Sequence, residues 1–483
     1  MKLRELLQDV DVLSCNVDLE TEVASVAYDS RKVTPGALFV AITGFATDGN
    51  LYVPMALNKG AVAVVTARET DASVPHIRVA SDRMALAQIG ANFFGHPAAS
   101  MKMIGVTGTN GKTSSTLLLK HVIETVLGAK VGLMGTMENM IGQERIPTER
   151  TTPESFDLQA LLAQMRDAGC QYVIMEVSSH AIALERVGGV HYDVAAFTNL
   201  TEDHLDFHKT MENYCDTKAQ LFSRCTWGVL NQDDPWFDRM TRVAACKQIT
   251  TSVKGAADLC AEDLQLLSDG ISFTAADETG RVSVRLPIPG KFTVYNALTV
   301  LGCAKALGIS LGQTAEALKT AHGVKGRVEV VPTPGKPYTV LIDYAHTPDG
   351  LENVLSSVKG FCKGRVIAVF GCGGDRDPIK RPIMGKIGTD IADFSVITSD
   401  NPRTEDPMKI LEDILKGVAP EKNNYIVIEN RKKAIAYAMD IAEKNDIIIL
   451  AGKGHETYQE ICGVKHHLDE REVVAAYLAE TRE

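Results

Sequence analysis

The residues best suited to phosphate chemistry form one glycine-rich segment, GTNGKTS, at Gly108–Ser114. The segment follows an apolar run that predicts a strand, Met103–Val106, and it precedes a predicted helix. Glycines let the backbone curl so that successive N–H groups point at phosphate oxygens, and a helix N-terminus favours their negative charge. Lys112 supplies positive charge, and Thr113 or Ser114 could ligate Mg²⁺. Because a valine stands where the generic P-loop has its first glycine, a glycine turn that binds nothing is the alternative.

Carboxylate and imidazole groups follow two further predicted strands. Glu176 stands at the end of the run Tyr172–Met175, where it could hold a second edge of Mg²⁺. His204 lies in a polar segment, TNLTEDHLDFH, that follows the run Val194–Phe197. Both groups have ordinary alternatives. A glutamate at a strand end can be a solvated residue or a helix cap, and Asp or His in a loop can satisfy backbone donors.

Polar or glycine-rich turns end four predicted strands in the C-terminal part of the chain. The strands are Thr339–Ile342, Val366–Phe370, Phe394–Thr398 and Ile447–Leu450, and their turns are DYAHTPD, GCGGDRDP, SDNPRTEDP and AGKGHE. In open α/β sheets, ligands bind outside the carboxyl ends of the strands. We therefore expect the four turns to converge on one site.

Strands that alternate with helical stretches predict α/β units, and these fall into three blocks. A chain of 483 residues is also long enough for about three domains. The first block contains predicted strands at Ala37–Ile42 and Ala61–Thr66 and a helix from Asp82 to Phe94. Segments rich in glycine and proline, Gly95–Pro97 and Pro332–Pro337, mark the boundaries. The predicted domains are 1–99, 100–332 and 333–483.

The composition is that of a folded protein, with 45% hydrophobic and 23% charged residues. A net charge of −11 disfavours nonspecific nucleic-acid binding, which needs a basic surface. The N-terminal residues lack the apolar core of a signal peptide, and no apolar run is long enough for a membrane span. Ten cysteines without a Cys-x-x-Cys pair are expected to be reduced thiols. We therefore predict a cytoplasmic protein with no nucleic-acid partner and no membrane insertion.

Six motifs together resemble the Mur ligase family and its folylpolyglutamate synthetase relatives. In chain order they are GTNGKTS, EVSSH, TNLTEDHLDFH, GKFTVYNALTV, GVKGRVE and DYAHTPD. The resemblance implies an α/β fold of three domains, with a P-loop-type central ATPase sheet and a C-terminal Rossmann-like doubly wound sheet. It also implies an ATP-dependent ligase that joins an acid to an amino acid, with ATP and Mg²⁺ as cofactors.

The resemblance also implies roles for single residues. Lys112 and Thr113 would contact the triphosphate, and Thr113, Glu176 and His204 would hold Mg²⁺. Lys218 matches the family's carbamylated lysine, whose carbamate ligates a second metal ion; without the resemblance it would be an ordinary surface lysine. Lys112, His204 and Lys218 are thus the predicted catalytic residues. The other predicted ATP-binding residues are Gly108, Thr109, Asn110, Gly111, Ser114, Asn296, Arg327 and Asp343.

The resemblance narrows to the tripeptide-synthetase branch of the family, which implies UDP-N-acetylmuramoyl-L-alanyl-D-glutamate as one substrate. Ser30 and the loop Gly44–Gly49, which includes Phe45, look like the uridine-nucleotide site. The family often has glutamine at the position of Leu184, so this chain departs from the pattern there. The residues that look like contacts to the muramoyl peptide are Thr151, Thr152, Ser178 and Arg186.

The resemblance also implies the second substrate, the amino acid that accepts the acyl group, and the motif DNPR indicates that it is meso-diaminopimelate. Arg403, in the motif DNPR, would pair with the distal carboxylate that lysine lacks, because a planar guanidinium binds a carboxylate through two hydrogen bonds. Glu456 suits the distal ammonium. Without the motif, Arg403 is an exposed arginine in a proline-containing turn. The implied pocket consists of Arg376, Asp400, Asn401, Pro402, Arg403, Gly452 and Glu456.

The implied reaction forms an acyl phosphate from ATP and the D-glutamate carboxylate, and the amine of the acceptor then displaces phosphate. A lysine-adding tripeptide synthetase and a folylpolyglutamate-type ligase are the alternative enzymes. A nucleotide-gated binding protein without ligase chemistry is the alternative from another functional class. We expect a monomer.

Overall fold

The computed structural model describes residues 1–44, 47–148, 150–267 and 270–480. The chain divides into two compact units. The first consists of residues 1–251 and 299–310, and the second of residues 252–298 and 311–483. Within the described ranges, no helix combines the length and the apolar character needed to cross a bilayer.

The first unit begins with a five-stranded sheet in the order β1-β5-β4-β3-β2. Strands β2 to β5 are parallel and β1 is antiparallel to β5. Every residue of β3 and β4 is buried, as expected when both faces of a parallel sheet are covered. The strands are β1 (Val12–Cys15), β2 (Ser25–Ala27), β3 (Ala37–Val40), β4 (Ala63–Thr66) and β5 (His76–Val79). The helices are α1 (Leu3–Leu6), α2 (Val53–Asn58) and α3 (Asp82–Phe93), with 3₁₀ turns at Ser30–Lys32, Gly49–Tyr52 and Pro97–Ser100.

A second sheet of the first unit has the order β13-β12-β11-β6-β10-β7-β8-β9. Strands β6, β7 and β10 to β13 are parallel, and β8 and β9 extend the sheet as antiparallel strands. Because β6 lies between β10 and β11, the loops after these three strands leave the same edge side by side. The strands are β6 (Lys102–Thr107), β7 (Val131–Met134), β8 (Asn139–Ile141), β9 (Glu144–Ile146), β10 (Tyr172–Glu176), β11 (Tyr192–Phe197), β12 (Cys225–Asn231) and β13 (Lys247–Ser252).

Helices accompany this second sheet. Helix α4 begins at Lys112, within the glycine-rich segment, and ends at Leu127, where Gly128 caps it with a φ of +62° that suits glycine. The α-helices are α4 (Lys112–Leu127), α5 (Ser155–Asp167), α6 (Ser179–Ala183), α7 (Leu205–His208), α8 (Met211–Ala219) and α9 (Phe237–Met240), with 3₁₀ turns at Gln220–Ser223 and Thr241–Val243. The residues of α10 (Lys291–Ala306) divide between the two units.

The second unit contains three antiparallel strands that belong to one sheet, and another sheet that is mostly parallel. The antiparallel strands are β14 (Leu259–Leu267), β15 (Gly270–Asp277) and β16 (Gly280–Leu286), and α11 (Leu311–Lys319) packs against β16. The other sheet has the order β17-β18-β22-β19-β20-β21, in which only β17 is antiparallel to its neighbour. Its strands are β17 (Glu329–Val331), β18 (Thr339–Asp343), β19 (Val366–Phe370), β20 (Phe394–Ile397), β21 (Tyr425–Val427) and β22 (Ile447–Ala451).

Buried apolar clusters lie against both faces of this six-stranded sheet, so it is doubly wound. Every residue of β19 and β22 is buried. A hairpin follows, formed by β23 (Tyr458–Ile461) and β24 (Val464–His467). The helices are α12 (Pro348–Lys359), α13 (Lys380–Ile391), α14 (Pro407–Leu415), α15 (Arg431–Asp440) and α16 (Glu470–Glu480).

The predicted fold class is confirmed, because three α/β sheets occur in the predicted order along the chain. Each predicted strand has an observed counterpart, and predicted helix Asp82 to Phe94 corresponds to α3. The segment Pro332–Pro337 forms the turn between β17 and β18. Domain boundaries at residues 99 and 332 stay predictions. The ten cysteines lie in the described part of the chain and are free thiols.

Candidate active site

The glycine-rich segment forms a tight loop between β6 and α4. Gly108 and Gly111 have φ values of +147° and +85°, which only glycine adopts readily. A Cβ atom on Gly108 would also overlap the hydroxyl of Thr198. The ammonium of Lys112 donates to the carbonyl oxygens of Gly108, at 2.9 Å, and Thr109, at 2.8 Å. The side chain of Lys112, the one cation of this loop, is therefore folded over the loop backbone.

The segment after β11 holds this loop in shape. The amide of Thr109 donates to the carbonyl of Asn199 at 2.8 Å, and the amide of Asn110 donates to the Asn199 side chain at 2.9 Å. The hydroxyl of Thr198 donates to the carbonyl of Asn110 at 2.6 Å. Thr198 and Asn199 were not predicted individually, although they begin the segment TNLTEDHLDFH.

Glu176, at the end of β10, lies beside the start of α4 and is buried. Its carboxylate accepts hydrogen bonds from the Thr113 hydroxyl at 2.9 Å and from the amide and hydroxyl of Thr136, each at 3.0 Å. Two of the predicted Mg²⁺ ligands are therefore in contact, and both offer the hard oxygen atoms that Mg²⁺ prefers. Thr136 was missed, because nothing in its local sequence marks it.

Lys218, on α8, is buried, so the alternative of a surface lysine is wrong. Its ammonium donates to the carbonyl of Gly108 at 3.0 Å and lies 4.7 Å from the centre of the Tyr214 ring. Burial, and then the nearby charge of Lys112, hold the pKa of Lys218 well below its ordinary value. A neutral amine at this position is the form that can react with carbon dioxide to give a carbamate.

His204 lies in the loop after β11 with a left-handed backbone, φ +54°, and a half-exposed side chain. Its ring lies 4.9 Å from that of His180 and 6.3 Å from that of Tyr214, between centroids. His204 makes no hydrogen bond to Thr113, Glu176 or Lys218. Across the described ranges, no three His, Cys, Asp or Glu side chains gather as a metal site. Of the predicted Mg²⁺ ligands, the structure brings Thr113 and Glu176 into direct contact.

Three of the predicted muramoyl-peptide contacts gather next to Glu176. The Thr151 hydroxyl lies 3.1 Å from that of Thr136. The Thr152 hydroxyl donates to the carbonyl of Glu176 at 2.8 Å, and it lies 3.5 Å from the hydroxyl of Ser178, which caps α6. These polar side chains thus border the carboxyl edge of β10.

The fourth predicted contact, Arg186, forms an ion pair with Glu154 at 3.4 Å, and Arg83 reaches the same carboxylate at 3.5 Å. Burial lowers the pKa of Arg186, and the charge of Glu154 opposes that effect. Arg83 was not anticipated. Ser30 is buried in a 3₁₀ turn near the first sheet. Phe45, in the predicted uridine loop, lies outside the described residues.

The remaining predicted nucleotide residues, Asn296, Arg327 and Asp343, belong to the second unit. Asn296 is buried in α10. Asp343 ends β18 and accepts hydrogen bonds from the amides of Val328 and Ala345, each at 2.8 Å. Burial raises the pKa of Asp343 and the positive charge of Arg327 opposes the rise. Arg327 also lies over the Tyr344 ring, at 5.0 Å from its centre.

The four predicted turns of the second unit converge, as expected. Arg403 donates to the carbonyl of Gly374 at 2.7 Å and lies 3.4 Å from the carboxylate of Glu460. The rings of Tyr344 and His455 are 5.0 Å apart. Arg403 has φ +50° and only 21% of its side chain is exposed, so it is not the freely exposed arginine of the alternative interpretation.

The motif DNPR contacts the motif GKGHE directly. The side-chain nitrogen of Asn401 donates to Glu456 at 2.9 Å, and Lys453 donates to the side-chain oxygen of Asn401, also at 2.9 Å. A Cβ on Gly452, which has φ +121°, would crowd the Asp400 carboxylate. Arg376 is exposed and donates to the carbonyl of its neighbour Asp375, and Pro402 forms part of the turn. Lys453 was missed because a lysine in a glycine-rich turn gives no sign of burial.

Three family models match the chain. They are the Mur ligase family catalytic domain at residues 22–94, the Mur ligase middle domain at residues 106–304 and the Mur ligase glutamate ligase domain at residues 326–454. A UDP-N-acetylmuramoyl-L-alanyl-D-glutamate–2,6-diaminopimelate ligase of Clostridium botulinum is 47% identical to this chain, over 95% of this chain and 96% of that protein. The chain belongs to the Mur ligase family. The predicted membership is confirmed, and this Mur ligase is an ATP-dependent ligase.

Other comparisons agree with this membership. A ligase of the same name from Clostridioides difficile is 45% identical, with 98% of each chain covered. A solved structure of a ligase with that name is 31% identical and has a TM-score of 0.76, covering 100% of this chain and 99% of that one. A Thermotoga maritima MurF ligase in complex with ADP shares the fold of this Mur ligase, with a TM-score of 0.62 at 19% identity, over 96% of this chain and 99% of that one.

Proposed function

We propose that this Mur ligase joins meso-diaminopimelate to the D-glutamate of UDP-N-acetylmuramoyl-L-alanyl-D-glutamate, with ATP, in the cytoplasmic stage of peptidoglycan synthesis. Relatives that carry this activity in their names match nearly the whole chain. The main structural support comes from the contact between the motifs DNPR and GKGHE. DNPR contains a partly buried cation, Arg403, and GKGHE contains a carboxylate, Glu456. An acceptor with a second carboxylate and a second ammonium matches that pair.

The phosphate loop and its neighbours would bind ATP. The loop amides and Lys112 would face the phosphates, and Thr113, Glu176 and Lys218, as its carbamate, would hold Mg²⁺ with His204. The bound metal would supply neutralisation of the phosphate charge. The contact between Thr113 and Glu176 and the depressed pKa of Lys218 support this assignment.

In the first step, a carboxylate oxygen of the substrate D-glutamate attacks the γ-phosphorus, and the bond to the β,γ-bridging oxygen breaks to release ADP. In the second step, the acceptor's neutral amine attacks the acyl carbon to give a tetrahedral intermediate. That intermediate expels phosphate and loses a proton, which leaves an amide. Positioning and charge stabilisation are the main contributions of a protein to such a reaction, and the tight, half-buried loop and Lys112 suit both.

Selectivity would reside in Arg403. With lysine as acceptor, the guanidinium would lose the ligand carboxylate and keep only its contacts with Gly374 and Glu460. Breaking a fully buried pair costs about 3–5 kcal/mol, which is an upper bound for this partly exposed side chain. A site built for a polar group can reject the analogue that lacks it by about 10⁴-fold. Because Arg403 keeps its bonds to Gly374 and Glu460, the preference is expected to fall below that limit.

In the test, purified protein is incubated with ATP, Mg²⁺, the UDP-muramoyl dipeptide and either meso-diaminopimelate or L-lysine. Phosphate release and the mass of the product are measured. We expect turnover with diaminopimelate and little with lysine. Arg403→Ala should lose this preference, whereas Arg281→Ala, at an exposed ion pair of the same unit, should keep it. Preference for lysine would contradict the acceptor assignment. A monomer stays a prediction that light scattering can check.

A further inference from the structure

Lys453, in the turn after β22, is a charged side chain with no exposed surface. Lysine is almost never fully buried unless its charge is paired. Here the ammonium donates to the Asn401 carbonyl oxygen at 2.9 Å and to Oε2 of Glu456 at 3.2 Å, and it lies 3.8 Å from Oδ1 of Asp400. One buried cation thus joins three residues of the predicted acceptor pocket.

The contacts of Lys453 leave the two oxygen atoms of Glu456 in different situations. Oε2 accepts from Lys453 and from the Asn401 amide at 2.9 Å. Oε1 receives no hydrogen bond from the described residues, and the side chain is 16% exposed. The Asn401 side chain is itself fixed, because its Oδ1 accepts from Lys453 and from the backbone amide of Glu460 at 3.0 Å. Glu456 is therefore anchored through one oxygen and can offer the other.

A second buried cation, Arg431, lies near the carboxylate of Asp400, which Lys453 also approaches. It donates to Glu470 at 2.8 Å and lies 3.9 Å from Oδ2 of Asp400. Burial alone would raise the pKa of Asp400, but Lys453 and Arg431 hold it below its ordinary value, so that carboxylate is charged. Two cations, Lys453 and Arg431, thus lie among three carboxylates, those of Asp400, Glu456 and Glu470.

We propose that Lys453 is a positioning residue for the acceptor, holding Glu456 and Asn401 so that Oε1 of Glu456 meets the distal ammonium of diaminopimelate. The proposal rests on the proposed function. Two parts of the pocket would then recognise different groups of the ligand. Arg403 would bind the distal carboxylate, and Glu456, held by Lys453, would bind the distal ammonium. Lys453 should then affect acceptors that carry a second ammonium and leave ATP and the UDP-substrate unaffected.

The test compares meso-diaminopimelate with 2-aminopimelate, which keeps the distal carboxylate but lacks the distal ammonium. Lys453→Gln should raise KM for diaminopimelate by roughly tenfold, the usual effect of losing a charge-assisted hydrogen bond. KM for 2-aminopimelate, ATP and the UDP-substrate should be unchanged. Lys120→Gln is the matched control, because Lys120 is also a buried lysine paired with a glutamate, in the first unit.

A double variant tests whether Lys453 acts through Glu456. In a Glu456→Gln background, Lys453→Gln should cause no further loss of diaminopimelate preference, because residues that act as a unit are not additive. Lys453→Arg, which keeps the cation, should restore part of the preference, and it replaces the glutamine variant if that protein does not fold. An equal rise in KM for both acceptors, or for ATP, would overturn the proposal. If the unaltered protein does not use diaminopimelate at all, the proposed function fails instead.

Discussion

Replacing Thr136 by valine removes two contacts of its hydroxyl, the hydrogen bond to Glu176 and the 3.1 Å contact with the Thr151 hydroxyl. The hydroxyl donates to Oε2 of the carboxylate at 3.0 Å, while the Thr136 amide and the Thr113 hydroxyl continue to donate to Oε1. Valine has the shape of threonine, so the substitution should leave the packing intact. The carboxylate would then rotate more freely beside the phosphate loop.

The expected loss follows from the type of bond. A hydrogen bond to a charged group contributes about 1.5–3 kcal/mol, and a group that orients a metal ligand typically changes metal affinity by about 10–100-fold. Since two of the three donors remain, we expect the Mg²⁺ concentration for half-maximal activity to rise by about tenfold, at the lower end of that range. The maximal rate at saturating Mg²⁺ should change little.

The assay is a Mg²⁺ titration of ADP formation with saturating ATP and both other substrates. Thr136→Ser keeps the hydroxyl and should titrate like the unaltered protein. Thr389→Val removes a buried hydroxyl that donates to Gly385 at 2.9 Å, and it controls for general destabilisation. An unchanged Mg²⁺ requirement in Thr136→Val would refute the assignment of Glu176 as a ligand oriented by Thr136.

Three further substitutions test the loop, the buried charges and the effect of pH. Gly108→Ala should abolish ATP turnover, because the Cβ atom overlaps a neighbouring hydroxyl, whereas Gly312→Ala, with open space around it, should not. Arg431→Met should lower the free energy of unfolding by about 3–5 kcal/mol in urea titrations, because Glu470 stays buried without its partner; adding Glu470→Leu should recover most of the loss. Burial, followed by the charge of neighbouring groups, lowers the pKa of His208 from 6.5 to about 4, so the unfolded chain binds its proton first as the pH falls. The free energy of unfolding should therefore decrease between pH 6.5 and about 4, and less steeply in His208→Gln.

Local sequence was enough to predict the elements and the residues that end them. The apolar run before Glu176 fixes β10, and the glycines before Lys112 fix the turn into α4. A residue that directly ends a predicted strand is placed at the sheet edge by chain connectivity alone. That reasoning found Glu176, and it found the turn that contains Arg403.

The residues that were missed act across long chain separations. Thr136 meets Glu176 and Lys453 meets Asn401 only after the sheets have formed, and the pattern around Lys453 does not signal that it is buried. The burial of Lys218 could not be predicted from the sequence, since a lysine on a polar helix is normally exposed. Periodicity predicts which face of an element is covered, but it does not predict which polar group is paired there.

The two units use charge in different ways, and this bears on selectivity. In the first unit, Lys112 folds over loop carbonyls near the edge of the sheet, where a long side chain can turn toward an incoming phosphate. In the second unit, Lys453 and Arg431 are fully buried and held by several partners, so they cannot move without breaking those bonds. A fixed charge favours the one ligand whose groups match its position. On this reasoning, discrimination between amino acids depends on Arg403 and on the groups that the buried cations of the second unit hold in place, and variants at Lys112 should slow turnover of every acceptor alike.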